Sequence, residues 1–182
     1  MIYYISDLHL GDERILKLCS RPFSSTDELF EVLVERWNVK VTDADDVYVL
    51  GDIANGSSAL VKEFFSRVKG RKHLIIGNHD EEYVNDYSLT EVFDSISGLK
   101  YITDSGRKVL LCHYPIMDWF SGDETIYLVY GHIHNKNGEN SEQMYRFMQA
   151  YYNYLPAYNA SADVTNFEPV TLDELIKMKE VI

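Results

Sequence analysis

A chain of 182 residues with 46% hydrophobic side chains can bury one sizeable core, so a single domain spanning residues 1–182 is expected. Its 29 acidic against 17 basic residues give −12 at pH 7, which disfavours grip on a long nucleic acid, where Lys and Arg must displace counterions. No apolar run reaches the roughly 18 residues of a membrane span, no signal-peptide pattern precedes Asp7, and Cys19 and Cys112 make no disulfide framework; a cytoplasmic protein without a membrane partner is expected.

In chain order, Met1–Ile5 reads as a short buried strand that stops at Ser6-Asp7. Thr26–Val39 spaces Leu29, Phe30, Leu33, Val34 and Trp37 as a helix does, with Thr26 as the expected N-cap. Val47–Leu50 is a second strand ending at Gly51-Asp52, Ser58–Val68 a second helix, and His73–Ile76 a third strand ending at Gly77-Asn78. This alternation implies parallel pairing through right-handed crossovers. In the second half, Lys100–Thr103 and Lys108–Cys112 flank the turn residues Asp104-Ser105-Gly106-Arg107 and read as a hairpin. Thr125–Tyr130 is a further strand, and Thr171–Lys179 a closing helix with Thr171 at its N-cap and Glu174 in the capping-box position. Parallel units followed by antiparallel strands suggest two packed sheets with helices outside.

The chemistry lies in the residues just past each strand. Asp7-Leu8-His9 comes after the first, Asp52 after the second, Asn78-His79-Asp80 after the third, His113 after the hairpin, and His132-Ile133-His134 after the next strand. The carboxyl ends of parallel strands converge on one edge, where α/β folds bind ligands. Five of the six histidines occupy these positions; His73 alone lies inside an apolar run and reads as a packed strand residue. Taken singly, an Asp-x-His or a Gly-Asp is an ordinary turn. Taken together they form an imidazole and carboxylate set suited to a pair of divalent ions, with no thiolate to suggest a structural zinc site. Two cations about 3.5–4 Å apart repel, so such a site needs anionic ligands and a bridging carboxylate. Bound metals lower the pKa of water from about 15.7 toward roughly 7 and offset charge during in-line attack, while an imidazole can protonate the leaving alkoxide.

In these five blocks, which run from Asp7 to His134, the chain resembles the calcineurin-like metallophosphoesterase superfamily and, within it, the small bacterial branch. The resemblance implies an α/β fold, a four-layer α/β/β/α sandwich of two mixed β-sheets flanked by helices. It implies that Asp7, His9 and His134 hold one metal, that Asn78, His113 and His132 hold the other, and that Asp52 bridges them. His79 resembles the proton-donating or phosphate-contacting histidine, with Asp80 as its orienting partner. Two divalent ions are implied, Mn²⁺ first, with Fe, Zn²⁺ or Ni²⁺ as alternatives. Asn159-Ala160-Ser161-Ala162-Asp163 and Glu168-Pro169-Val170-Thr171 match the small branch without a role. Three departures matter. The third motif ends in Asp80, where the protein phosphatases carry Glu. Gly51-Asp52 continues into Ile53-Ala54-Asn55-Gly56 and lacks the phosphate-binding arginine of those phosphatases, and the two differences together speak against a protein phosphatase. Asp12 stands where many small members carry His or Asn, and is expected to point to solvent.

The activity so implied is hydrolysis of a small phosphate mono- or diester, nucleotide-derived among the options, by a metal-bound hydroxide. The alternatives are a non-catalytic interaction module of the same fold, which would lack part of the ligand set, and a nuclease, for which the chain is short and acidic. Specificity is expected in the loops Ile53–Ser58, Ile116–Asp123 and Asn135–Glu142. Met144–Leu155 is Tyr-rich with helical apolar spacing; a packed amphipathic helix or subunit interface is favoured over a lid or base-stacking surface.

Overall fold

The computed structural model describes residues 1–55, 57–84, 90–119, 125–135 and 142–180, the side chains of Glu82, Val84, Met144 and Glu180 apart. In chain order the elements are β1 (Ile2–Ile5), α1 (Glu13–Leu18), α2 (Thr26–Lys40), β2 (Asp46–Val49), α3 (Ser58–Arg67), β3 (Arg71–Ile75), α4 (Glu81–Val84), β4 (Ser95–Ser97), β5 (Leu99–Asp104), β6 (Arg107–Cys112), β7 (Ile126–Tyr130), α5 (Glu142–Tyr152), β8 (Ala157–Asn159) and α6 (Leu172–Glu180). They form two four-stranded sheets, β1-β2-β3-β4 and β5-β6-β7-β8. No described helix is long and apolar enough to cross a membrane.

The period-two alternation of strand side chains explains the layering. Tyr3, Ile5, Val47, Val49 and Leu74 face one way and pack with Leu29, Leu33 and Trp37 of α2 and Phe64 and Phe65 of α3. Their neighbours Tyr4, Tyr48, Leu50 and Ile75 face the other way, onto Val109, Leu111 and Val129 of the second sheet. The outer face of that sheet, Leu110, Cys112, Leu128 and Tyr130, is covered by Met148 and Tyr152 of α5. The result is the four-layer sandwich, with Leu172 and Leu175 of α6 closing the inter-sheet core. Each fully buried apolar side chain contributes roughly 1.5–3 kcal/mol, and β1 feeds two of the three clusters, Tyr3 and Ile5 one and Tyr4 the other.

Several local readings are corrected by the chain's own chemistry. Ser25, not Thr26, caps α2: its hydroxyl accepts from Glu28 N at 3.1 Å while Thr26 is already helical. Thr171 and Glu174 do form the reciprocal capping box at α6, at 3.3 and 2.7 Å. The first sheet is wholly parallel rather than mixed, because β4 adds to β3 in the same sense. In the second sheet only β5 and β6 are antiparallel, joined by Ser105-Gly106 with φ of 50° and 80°, the backbone of a tight hairpin turn. β6, β7 and β8 are parallel, since the long connections between them leave room for crossovers. Six strand ends, those of β1, β2, β3, β6, β7 and β8, therefore deliver residues to one rim.

Candidate metal centre

Past the ends of the strands, the loops lace to one another. Asp7 N donates to Gly51 O, His9 N to Asp52 O and Leu10 N to Ile53 O, each at 3.0 Å, while Gly131 N donates to His113 O and Ala162 N to Ser6 O. These bonds force tight reversals: Asp7, His9, Asp52, His132 and His134 all have left-handed backbones, φ between 49° and 73°. The glycines permit the approach. A Cβ on Gly131 would lie 1.9 Å from Ser6 Oγ and 2.6 Å from Asp7 Oδ2, and one on Gly77 would lie 2.4 Å from Asp52 Oδ1.

Two groups of candidate ligands result. Asp7, His9 and His134 present ligand atoms within 4.8 Å of one another, and so do Asp52, His113 and His132. Asp52 Oδ2 joins the groups, at 3.7 Å from His9 Nε2 and 3.4 Å from His113 Nε2. Asn78 adds its Oδ1 to the second group, 3.1 Å from His113 Nε2. Thus Asp7, His9, Asp52, Asn78, His113, His132 and His134, the seven residues expected as ligands, lie at one place. The loop positions Gly56, 120–124 and 136–141, expected to govern specificity, lie outside the described residues.

The donor set fits divalent cations on its own geometry. Among the described residues, both ring nitrogens of His9 are buried without a hydrogen-bond partner, a costly state for an imidazole. His113 Nδ1 donates to Leu50 O at 2.6 Å, so in the neutral ring the Nε2 lone pair faces the oxygens of Asn78 and Asp52. His134 repeats the pattern, Nδ1 donating to Asp163 Oδ2 at 2.8 Å and Nε2 facing Asp7 Oδ1 at 3.7 Å. Acceptors aimed at acceptors call for positive charge between them. The electrostatics agree. Burial opposes protonation of His113, but the Asp52 bond and the Asp7 and Asp52 charges push it up to about 9. Burial likewise opposes protonation of His134, yet Asp7 and the Asp163 bond push it up to about 11. In both Asp7 and Asp52, burial works against ionisation, but the surrounding histidines hold the carboxyl below its usual range.

A supporting layer stands behind these residues that the sequence did not disclose. Ser161 Oγ donates to Asp7 Oδ2 at 2.7 Å, and Asn159 Nδ2 to His134 O at 2.9 Å. The side chain of Arg21 has no exposed surface. It holds both oxygens of Asp163 at 2.8 and 2.9 Å and reaches the carbonyls of Leu8 and Asp7 at 2.8 and 2.7 Å. Cys19 lies with His134 and Asp163 in a third group of ligand atoms within 4.8 Å; the Asp163 carboxylate there is already spent on Arg21 and His134. The advance signal was the match of Asn159-Ala160-Ser161-Ala162-Asp163 to the small branch, which carried no role; Arg21 had none.

Two further expectations change. Asp80 does not turn its carboxylate toward the His79 ring. Its oxygens accept from the backbone N–H groups of Asp52, Ile53 and Gly77 at 2.9, 2.9 and 2.7 Å, because the buried turn supplies unpaired donors beside it. Asp80 is thereby a brace between two ligand loops. Asp12 is buried rather than solvent-directed, for it caps α1 and takes Arg14 at 2.9 and 3.0 Å. His79 is exposed at the rim, its ring 5.3 Å from that of His9 and its N–H donated to Asp52 Oδ1 at 2.9 Å.

The calcineurin-like phosphoesterase family matches residues 1–176. The chain belongs to that family. It is 32% identical over 184 residues to an uncharacterized protein of Methanocaldococcus jannaschii, an alignment covering 98% of this chain and 91% of the other. A gene 66 protein of a Mycobacterium phage is 25% identical over 196 residues, covering 92% and 97%. Among solved structures, a protein of unknown function from Aquifex aeolicus superposes with a TM-score of 0.70 at 27% identity, covering 98% of each chain. This phosphoesterase fold is thus held nearly end to end by relatives of similar length.

Proposed function

We propose that this protein hydrolyses a small phosphate mono- or diester with two divalent ions, one held by Asp7, His9 and His134, the other by Asn78, His113 and His132, with Asp52 shared. The observation that carries the reading is Asp52 Oδ2 standing between His9 and His113, each with a ring nitrogen directed at it. The mixed imidazole and oxygen donors accept Mn²⁺, Fe, Zn²⁺ or Ni²⁺ alike; Mn²⁺ is put first on the family resemblance. When bound, the ions supply Lewis-acid charge and acidify water.

The chain's own residues supply the rest. Leu50 O and Asp163 fix the tautomers of His113 and His134, so that Nε2 of each faces inward. Asp80 and the lacing bonds hold the loops while charge shifts. His79, exposed beside His9, is placed to give a proton to the departing oxygen.

The test begins with chelated protein, assayed on p-nitrophenyl phosphate and bis(p-nitrophenyl) phosphate before and after Mn²⁺ is restored. Turnover should require the metal, and Asp52→Ala should lose at least one ion by elemental analysis. His79→Ala should keep both ions while kcat on an unactivated ester falls roughly 10²–10⁴-fold. Metal-loaded protein inert on every ester would refute the proposal.

A further inference from the structure

Tyr114 adjoins His113 in the chain, and its ring lies 5.0 Å from that of His113 and 4.9 Å from that of His132, at 78° and 64°. It therefore touches two of the imidazoles around the second ion. Nevertheless 44% of Tyr114 is exposed, on the rim that also carries the exposed Asn78 and His79. The same loop continues to Met117, 52% exposed, whose carbonyl accepts from Tyr151 Oη at 2.6 Å. Tyr151 in turn stacks on Phe147 at 6.2 Å and 14°. Exposed apolar and aromatic side chains thus run outward from the candidate ligands through Tyr114, Met117, Tyr151 and Phe147, with the exposed Asp118 following Met117.

Charge supports a neutral neighbour for the phosphate. The arginines on the loops after His9 are both engaged, Arg14 by Asp12 and Arg21 by Asp163, so neither is free to hold a second anionic group. A phosphoryl group over the ions carries its organic substituent a bond or two beyond phosphorus. The substituent then extends over the rim, where the exposed Tyr114 borders both imidazoles and His79 stands beside His9. An exposed ring favours a planar apolar group over a polyol, because stacking is worth more to the former.

We propose that Tyr114 receives the organic group of the ester and selects a planar aromatic or heteroaromatic one, an inference that rests on the proposed phosphoesterase activity. Non-hydrolysable phosphonates isolate the effect, since phenylphosphonate and methylphosphonate share the metal-binding head and differ in the group meeting Tyr114. Titration calorimetry on Mn²⁺-loaded protein should give phenylphosphonate about tenfold tighter binding than methylphosphonate. The ratio should shrink to within about twofold in Tyr114→Ala and persist in Tyr114→Phe. Equal binding of the two probes to the wild type, or a ratio unchanged by Tyr114→Ala, would overturn the role of Tyr114 and leave the phosphoesterase reading standing. If neither phosphonate binds, both readings fall. Manganese content is measured on the same samples: loss in Tyr114→Ala but not in Tyr114→Phe would make the ring a support for His113 and His132, and the selection proposal would be wrong.

Discussion

Replacing Asp163 by asparagine removes one negative charge and leaves the shape nearly unchanged. In the wild type the carboxylate takes His134 Nδ1 at 2.8 Å and Arg21 through two bonds of 2.8 and 2.9 Å. An amide oxygen in its place can accept from the histidine or from the arginine, but its NH₂ group would repel the other donor. Two separate losses result. His134 no longer has a carboxylate fixing its ring and raising its basicity, which for such outer partners costs about 10–100-fold in metal affinity, or about 1.4–2.7 kcal/mol. Arg21 loses its carboxylate partner and at least one of its two bonds to residue 163, leaving a buried cation held mainly by the Leu8 and Asp7 carbonyls, a loss of about 3 kcal/mol in folding stability. Manganese titration calorimetry reads the first, and urea unfolding of chelated protein reads the second. Should the Asp163→Asn variant bind manganese as tightly as the wild type, with folding equally firm, the carboxylate's role as a positioning group is wrong.

Steric and electrostatic predictions accompany it. Gly131→Ala places a methyl group 1.9 Å from Ser6 Oγ and 2.6 Å from Asp7 Oδ2; it should cost about 3 kcal/mol and reduce manganese content, whereas Gly98→Ala, whose Cβ meets nothing within 4 Å, should stay within about 0.5 kcal/mol in the same urea assay. For Asp12, burial opposes ionisation, but the Arg14 side-chain and backbone bonds hold the carboxyl at about 2, below its ordinary 3.8. A depressed carboxyl contributes stability that is fully present above its ordinary value and is lost as pH falls through about 2. Because Arg14 is largely exposed, the contribution is about 1 kcal/mol. Asp12→Asn, which keeps the cap, should therefore be less stable than the wild type near neutral pH and equal to it once the carboxyl is protonated; an equal deficit under both conditions would show that the charge plays no part.

The sandwich and its candidate ligands were legible because both obey local rules. Short continuous apolar runs announced β1, β2, β6 and β7, and each candidate ligand block came directly after such a run. The features that could not be read were decided between segments. β4 and β8 have only three residues each, too few for a pattern, and α1 depends on Asp12 and Arg14 meeting. The hairpin made the second half look antiparallel, although the connections after β6 and β7 return those strands in parallel. Asp80 next to His79 suggested a pair, yet the buried turn beneath claimed its carboxylate. Arg21 and Asp163 are 142 positions apart, and nothing in either neighbourhood indicates that they meet.

Backbone strain explains why the fold, rather than a bound ion, sets the ligand positions. A non-glycine residue in the left-handed region costs roughly 1–2 kcal/mol, and Asp7, His9, Asp52, His132 and His134 all occupy it. Several kcal/mol are thus held at one rim. Opposing that cost are backbone bonds from Asp7, His9 and Leu10 to the β2 loop, from Ala162 to Ser6, and the three N–H bonds gathered by Asp80, each worth about 1 kcal/mol. The two sums are comparable, so the loops can keep their strained form on protein contacts alone. An ion entering these candidate groups would then meet positions whose conformational cost folding has already met, although the residues come from widely separated parts of the chain.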